Sequence, residues 1–342
     1  MASRIRIAID CMSGDLGLHV TLPAAVKALS SFPDLDITLV GSEQLVRSLL
    51  KEGEKDLFSI VHAPDIVTMS DKPAYALKHK KQSSMRMAID LLQKTQVDAV
   101  VSAGNTGALM AMGCYIVKTL PGIDRPAICS AIPTLRGNSF LLDLGANVDS
   151  SAEHLHQFAT MGSVLASALG AVEKPRVTLL NIGEEAGKGN RQVALADALF
   201  EADSQLNYIG FTEASDLFSG NAEVIVADGF VGNIALKSCE GTAFYIGDVI
   251  KGVLTRSLIN RVIGVIAQPM LKTIFQKLDP QQYNGASFLG LAGVVVKSHG
   301  NSSVQGFLNA IAQARSEVAS DMVNIMAHRL SLSGGQALSR DN

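Results

Sequence analysis

The sequence predicts an α/β fold built on a doubly wound, mainly parallel sheet, and three observations indicate it. Short runs rich in Val, Ile and Leu alternate with longer amphipathic stretches, which is the βαβα order of a parallel sheet. Several of the short runs are almost wholly apolar, as in strands buried on both faces. The 342 residues are 47% hydrophobic and 18% charged with 30 glycines, which fits a compact α/β enzyme.

The strand predictions follow the apolar runs in chain order. They cover residues 4–10, 36–41, 58–63, 98–104, 127–133, 139–145, 176–183, 206–211 and 222–229, and another ends within 294–300. Amphipathic periodicity predicts helices that include residues 22–32, 42–52, 83–95 and 151–170. Helices that alternate with strands in this way cover both faces of the sheet.

Charge and cysteine content exclude several classes of protein. The net charge of −3 is unlike that of a dedicated nucleic-acid binder, so we expect no nucleic-acid partner. The four cysteines are far apart and form no CxxC pair, so we expect neither a metal site nor a disulfide framework. The first residues, "MASRIRIAID", enter strand-like sequence at once, so we expect a protein that is not exported and lies in the cytoplasm.

The chain carries no internal repeat and no long low-complexity segment, which favours one domain over residues 1–330. Within it, residues 234–280 form a helical arm, with a helical pattern interrupted at Pro269. The longest uncharged stretch of the arm, Val262 to Leu271, is ten residues and too short to span a bilayer. Residues 331–342 are polar and glycine-containing and are predicted to be a flexible tail.

Five loops that combine Gly with Asn, Asp, Ser or Thr follow predicted strands, at residues 10–17, 102–110, 143–154, 181–190 and 228–233. We expect all five at one end of the sheet, where parallel α/β folds bind ligands. Each alone also fits an ordinary turn. No GxxxxGK[ST] and no GxGxxG opens a helix after the first strand, which disfavours an ATP P-loop and a dehydrogenase.

Two loops look suited to an anion. Lys188 lies between Gly187 and Gly189, and such glycines let backbone N–H groups approach a ligand. Gly104, Asn105, Thr106 and Gly107 stand where a helix begins, so uncapped N–H groups there can hold a phosphate. We therefore expect Gly104→Val to raise the phosphate requirement without unfolding the protein.

Five long motifs in order give the chain a resemblance to a known family. They are "SAGNTGALM", "FLLDLGAN", "LLNIGEE" with the following "KGN", "VADGFVGNIALK" and "GLAGVVVKSHG". The chain resembles the PlsX-type acyl-ACP:phosphate acyltransferases over nearly its whole length. The resemblance implies a homodimeric, Rossmann-like fold related to phosphotransacetylases. It implies that inorganic phosphate takes a long-chain acyl group from acyl carrier protein, giving an acyl phosphate for phospholipid synthesis, and that the enzyme associates peripherally with the membrane.

The resemblance also places functional residues. The family's proposed catalytic lysine and asparagine fall on Lys188 and Asn233. Phosphate is itself the nucleophile, so the enzyme mainly positions it and stabilises charge, and no cofactor is expected. A catalytic cysteine is disfavoured. Cys11 is the one cysteine that lies in a glycine-rich loop with a histidine nearby in the sequence, and no G-x-S-x-G nucleophile elbow occurs.

Other polar residues are expected to line the phosphate site, each with an equally ordinary structural explanation. They are Asn105, Thr106, Asn147, Lys297, Ser298 and His299, together with Asp10 and Gly14 of the first loop. That loop reads "DCMSGD" where the family usually reads like DAMGGD. If position 13 requires a positive φ, Ser13 costs on the order of 1 kcal/mol there.

Alternatives remain open at this point. The acyl donor is acyl-ACP or, as in a phosphotransacetylase, acyl-CoA. A different class of function is also open, in which the protein is a non-catalytic membrane scaffold. The arm with its basic flanks fits a dimer contact, an anionic membrane surface or a docked acidic carrier protein, and we favour dimer and membrane contact together. The basic residues 77–86 are a second candidate surface for the carrier protein.

Overall fold

The computed structural model describes residues 4–170, 172–185 and 187–337, and its centre is one eleven-stranded sheet of order β3-β2-β1-β4-β11-β10-β5-β6-β9-β7-β8. The strands are β1 Ile5–Asp10, β2 Leu35–Gly41, β3 Ser59–His62, β4 Ala99–Ser102, β5 Ala127–Thr134, β6 Gly137–Leu142, β7 Arg176–Asn181, β8 Asn207–Glu213, β9 Val224–Val226, β10 Ala286–Leu289 and β11 Val294–Lys297. All ten strands predicted from the sequence are present.

Helices cover both faces of this sheet. They are α1 Leu18–Ser31, α2 Glu43–Leu49, α3 Pro73–His79, α4 Ser84–Gln93, α5 Thr106–Met112, α6 Ala152–Gly170, α7 Arg191–Ala202, α8 Gly229–Thr255, α9 Leu258–Leu278, α10 Val304–Ala319 and α11 Met322–Ala337. In β1, Ile7 and Ile9 pack into the core beneath α1 and α10, whereas Ala8 packs into the core beneath α4. A strand buried on both faces has no polar alternation, and the predicted doubly wound fold is confirmed.

The direction of the strands corrects one expectation. Seven neighbouring pairs are parallel. Three consecutive pairings, β11 with β10, β10 with β5 and β5 with β6, are antiparallel. Three reversals in a row make β6, β9 and β7 run opposite to β1, β4 and β11. The loops 10–17 and 102–110 therefore leave one edge of the sheet, and the loops 143–154, 181–190 and 228–233 leave the other, so the five loops do not share one end.

The predicted arm is a helical hairpin of α8 and α9. Its break lies at Arg256 and Ser257, where the Ser257 side chain caps α9 by accepting from the Asn260 N–H, and Pro269 lies inside a continuous helix. The arm is apolar on its outside, with Leu258 78% and Ile266 76% exposed. Over the described residues, the stretch Leu258–Tyr283 is long and apolar enough to cross a membrane by length and composition, which the count of uncharged residues did not predict.

The C-terminal helix α11 extends the ordered structure past the predicted boundary. It runs to Ala337, so residues 331–337 of the predicted tail are helical, and residues 338–342 lie outside the described residues.

Candidate functional site

The carboxyl ends of β1, β4 and β11 align three polar residues at one edge of the sheet. Asp10 is in register with Ser102, and Ser102 is in register with Lys297. The Ser102 hydroxyl donates to Asp10 Oδ2 over 2.7 Å, while Asp10 Oδ1 is buried and has no hydrogen-bond partner among the described residues. Burial raises the pKa of the Asp10 carboxyl, against the opposing effect of nearby serine hydroxyls.

The first loop holds this edge together, and its serine is not strained. Positive φ falls on Gly14, at 82°, and position 13 does not require it. The Ser13 hydroxyl donates to the Asp10 carbonyl over 2.6 Å and accepts from the Ala103 N–H over 2.9 Å. Ser13 therefore ties the loop to β4, and the condition under which serine would be costly at this position is not met.

The segment of Gly104 to Gly107 begins α5, as predicted, but its polar side chain is already engaged. Asn105 caps α5, with Oδ1 accepting from the Ala108 N–H over 3.0 Å, and its amide donates to the Asp71 carbonyl over 2.9 Å. Thr106 is the first helical residue and is partly exposed. That the loop binds phosphate stays a prediction.

The two glycines of this segment are packing positions. A Cβ at Gly104 would overlap the Cε of Met85, which is 1% exposed, and one at Gly107 would lie 2.8 Å from Cγ of Pro73. Gly104→Val therefore displaces the end of a buried side chain, and the expectation that the variant stays folded with a raised phosphate requirement stays a prediction.

Lys297 ends β11 in partly buried surroundings. Its ammonium donates to the Ser298 carbonyl. Loss of solvent and the neighbouring charge of Lys237 on α8 lower the pKa of Lys297 to about 8, against the opposing effect of Asp15 and Asp10. Two cations close enough to repel each other form a favourable place for an anion.

The residues after Lys297 divide in role. Ser298 is fully buried, and its hydroxyl accepts from the Asn284 amide over 2.8 Å, so it braces the loop. His299 is 41% exposed in its side chain, and its Nε2 lies 3.4 Å from Oε1 of Glu240. Glu240 also pairs with Lys237 over 2.6 Å, so α8 presents an acid–base pair to this edge.

At the opposite edge, the loop after β6 wraps a buried carboxylate. Asp143 accepts from the Ile128 N–H over 2.9 Å and from the Asn147 N–H over 2.7 Å, although burial raises the pKa of its carboxyl. The Asn147 amide donates to the Asp143 carboxylate over 3.0 Å and to the Pro126 carbonyl over 2.9 Å. Asn147 is 4% exposed, so its donors brace this loop, and contact with phosphate stays a prediction.

Asn233 lies in the second turn of α8 and is exposed. Its amide packs over Gly145, whose φ is 99°, and a Cβ at Gly145 would lie 3.4 Å from Asn233 Nδ2. Asp228 starts the helix by accepting from the Phe230 and Val231 N–H groups over 3.0 and 2.9 Å. The amide of Asn233 is thus left facing outward beside a glycine backbone.

The loop of Lys188 has the backbone that its glycines predict. Gly187 and Gly189 have φ of 89° and 94°, and the Asn181 amide donates to the Lys188 carbonyl over 3.2 Å. Lys188 is exposed, and its ammonium forms no hydrogen bond or ion pair with any residue that the structure describes. Its positive charge is therefore available to a ligand.

Helix α8 connects the two edges. Asn233, Lys237 and Glu240 follow a spacing of four and three and so share one face of the helix. That face runs from Gly145 at one edge to Lys297 and His299 at the other. In residues 4–170, 172–185 and 187–337, no hydrogen bond or ion pair joins Lys188 to Asn233 or Lys297.

Sequence reasoning missed Lys237 and Glu240. Lys237 closes the motif "VADGFVGNIALK", but inside a helix it carries no local signal of a ligand site. The position four residues after Asn233 was the one available signal, since it places both side chains on one face.

The cysteines are unsuited to nucleophilic chemistry. Cys11 and Cys129 are buried, and desolvation raises the pKa of both thiols. A nucleophile requires the thiolate, which burial disfavours.

Comparison with known proteins assigns the family. The family model described as "Fatty acid synthesis protein" matches residues 5–325. The phosphate acyltransferase of Pseudomonas fluorescens is 51% identical over 327 residues, covering 95% of this chain and 97% of the relative. The phosphate acyltransferase of Legionella pneumophila is 49% identical over 329 residues, covering 95% and 96%.

Solved structures agree on the fold. A branched-chain phosphotransacylase from Enterococcus faecalis has a TM-score of 0.60 at 16% identity, covering 92% of this chain and 99% of that one. A phosphotransacetylase from Streptococcus pyogenes has a TM-score of 0.59 at 15% identity, covering 92% and 94%. The predicted relation to the phosphotransacetylase fold is confirmed. With half of its residues shared with phosphate acyltransferases over almost the whole chain, this protein is an enzyme of the fatty acid synthesis protein family, on the phosphate acyltransferase branch.

Proposed function

We propose that this phosphate acyltransferase moves a long-chain acyl group from acyl carrier protein to inorganic phosphate. A phosphate oxygen attacks the thioester carbonyl carbon, the C–S bond breaks, and the proton lost by hydrogen phosphate ends on the carrier thiol. The products are an acyl phosphate and free carrier protein. No covalent enzyme intermediate is needed, because phosphate is the nucleophile.

The observation that carries this proposal is the pair of lysines at the edge of the sheet. Loss of solvent, and after it the nearby positive charge of Lys237, lowers the pKa of Lys297. Glu240 neutralises Lys237 in part, whereas the described hydrogen bond of the Lys297 ammonium goes to a neutral carbonyl. A phosphate dianion placed between them offsets the repulsion and forms charge-assisted hydrogen bonds.

Asn233 lies one turn of α8 before Lys237, so the two side chains are about 6 Å apart at their Cβ atoms. A thioester beside a phosphate held by Lys237 is then within reach of the Asn233 amide. We assign to this amide the donation to the carbonyl oxygen as negative charge develops there. Lys188 adds a positive charge from its loop at the other side of α8, and its part in the chemistry is tested separately from phosphate binding.

The proposed donor is a protein-borne thioester, and the surface beside α5 supports it. Lys72, Lys78 and Lys81 are exposed around α3, which packs against α5. In contrast, Lys80 is paired with Asp65 and Asp71. Unpaired cations are what an acidic carrier protein would contact.

We also propose a homodimer in the cytoplasm that rests peripherally on the membrane through the arm of α8 and α9. The supporting feature is the exposed apolar side of α9, where Leu258 is 78% and Val262 61% exposed, with Arg256, Arg261 and Lys272 nearby in the chain. An amphipathic helix with basic residues binds anionic lipid surfaces.

One assay tests the reaction. Purified protein is given long-chain acyl-ACP, and free thiol is measured with and without phosphate. The proposal expects release only with phosphate, and faster turnover of acyl-ACP than of acyl-CoA. Equal turnover of acyl-CoA assigns the donor to the coenzyme instead, and no phosphate-dependent release favours a scaffold role.

A separate assay tests the arm. Leu258→Asp with Val262→Asp is expected to abolish flotation with anionic liposomes while activity on soluble acyl-ACP remains. Thr273→Asp, an exposed arm position, serves as the matched charge control. Liposome binding that survives the double change places the membrane contact elsewhere.

A further inference from the structure

A large cavity separates α8 from the carboxyl ends of β7 and β9. Its volume is about 1140 Å³. Pockets for small ligands typically enclose about 300–1,000 Å³, so this one exceeds what phosphate and a thioester group alone require. It lies on the face of α8 opposite to Asn233, Lys237 and Glu240, and so it is distinct from the polar site already described.

The wall of the cavity is apolar and is not covered by the chain itself. Leu135 is 90%, Ile182 81%, Ile234 50% and Phe218 41% exposed. Among the described residues of the lining, Asp228 is the one carboxylate and there is no lysine or arginine. Apolar side chains of this size left in water are unfavourable by about 25 cal/mol per Å², so an alkyl ligand is stabilised here by displacing that water.

One end of the cavity lies beside the loop of Lys188 and the first turn of α8. Gly189 and Asn190, which directly follow Lys188, belong to the lining, and so do Asp228 and Val231 at the start of α8. From this end the wall follows α8 through Ser238 and Ala243 to Ile246. An acyl chain can thus extend along the helix while its thioester stays beside the first turns of α8.

The length of the groove matches a long chain. From Val231 to Ile246 the helix rises about 22 Å, at about 1.5 Å per residue. An extended alkyl chain advances about 1.3 Å per carbon, given C–C bonds of about 1.52 Å. About 17 carbons therefore fit between the first turn of α8 and Ile246.

We propose that this cavity holds the acyl chain of the substrate, and that the residues of α8 lining it measure chain length, with Ser238 near the eighth carbon and Ala243 near the fourteenth. This rests on the proposed function, since it names where the acyl group of that reaction lies. The eighth and fourteenth positions follow from rises of about 10 and 18 Å from Val231.

The test is a chain-length profile of kcat/KM, with acyl-ACP of 6 to 18 carbons and saturating phosphate. Ser238→Phe is expected to keep substrates up to about 8 carbons within about twofold of wild type and to lose at least about tenfold on 16 carbons, since each excluded methylene costs about fourfold. Ala243→Phe is expected to move the limit to about 14 carbons. Gly241→Phe adds the same ring to the same stretch of α8 at an exposed glycine, where a Cβ meets nothing within 4 Å, and is expected to leave the profile unchanged.

The outcomes separate this inference from the proposed function. If wild type releases no thiol with phosphate at any length, the proposed function fails. If wild type is active but folded Ser238→Phe and Ala243→Phe keep its profile, the chain lies elsewhere and the inference fails. A change of oligomeric state in Ser238→Phe by sedimentation assigns the wall to a second copy of the chain and equally overturns it.

Discussion

Lys297 provides the sharpest test of where phosphate binds. The pKa of its ammonium is lowered to about 8, chiefly by desolvation and then by Lys237. If phosphate binds only to the enzyme in which Lys297 is protonated, the KM for phosphate is proportional to one plus the ratio of neutral to protonated Lys297. That ratio is about 0.1 at pH 7 and about 10 at pH 9, so KM for phosphate should rise roughly tenfold over this interval.

The assay is initial-rate thiol release at several phosphate concentrations, at each half unit from pH 7 to 9.5. Lys297→Arg is the matched control, because a guanidinium stays charged throughout and its KM should not rise in the same way. Because both proteins are measured in the same buffers, the ionisation of phosphate itself affects them equally and cancels in the comparison. Lys237→Met removes the repelling charge, so the rise in KM should begin at higher pH.

A wild-type KM that is constant from pH 7 to 9 refutes the reasoning, and so does an identical rise in Lys297→Arg. The phosphate would then bind away from Lys297, and the loop of Lys188 becomes the next place to look.

Three other predictions address separate parts of the chain. Lys188→Ala should lower kcat by roughly 10²-fold or more with a melting temperature near wild type, as for loss of one preorganised donor, and Lys188→Arg should restore it only in part; wild-type turnover in Lys188→Ala would remove it from the chemistry. Gly104→Val should lower the free energy of unfolding by about 1–3 kcal/mol in urea titrations, because it displaces Met85, whereas unchanged stability would mean that Met85 adjusts freely. Glu317 is fully buried and desolvation raises its pKa from 4.5 to about 7, so its stabilising effect is present below pH 4.5 and is lost as pH rises through 7. Glu317→Gln should therefore resemble wild type at pH 4.5 and exceed its stability by on the order of 3 kcal/mol at pH 8, and an equal difference at both pH values would contradict this.

The strands were predictable because burial on both faces leaves short runs dominated by apolar residues, as in Ile5–Asp10 and Arg176–Asn181. Strand β10 was missed because its four residues, Ala286–Leu289, follow polar and glycine positions and give no clear period. The direction of β6 and its neighbours was unpredictable, since it depends on pairing between segments more than 140 residues apart, such as Ser287 with Cys129. No local pattern carries that information.

The site was predictable where function leaves a mark on the backbone. Gly187 and Gly189 have the positive φ that their loop requires, so the sequence pointed to Lys188. The sequence predicted less well the roles of residues that depend on tertiary contacts. Asn147 and Ser298 were expected to face phosphate, but both are buried with their donors and acceptors engaged by the protein. Lys237 went unnoticed because only the path of α8 brings it to Lys297.

Helix α8 presents one face to the lysine pair and the opposite face to the cavity, so a rotation of the helix about its axis displaces both surfaces together. Each residue turns the helix by about 100°, so one residue inserted between Gly232 and Lys237 would carry every later side chain a quarter turn or more around the axis. Lys237 and Glu240 would turn away from Lys297 and His299, and Thr242 and Ile246 would turn away from the cavity. A single substitution on α8 can thus change the charged face or the cavity wall alone, whereas an insertion or deletion in this segment changes both at once.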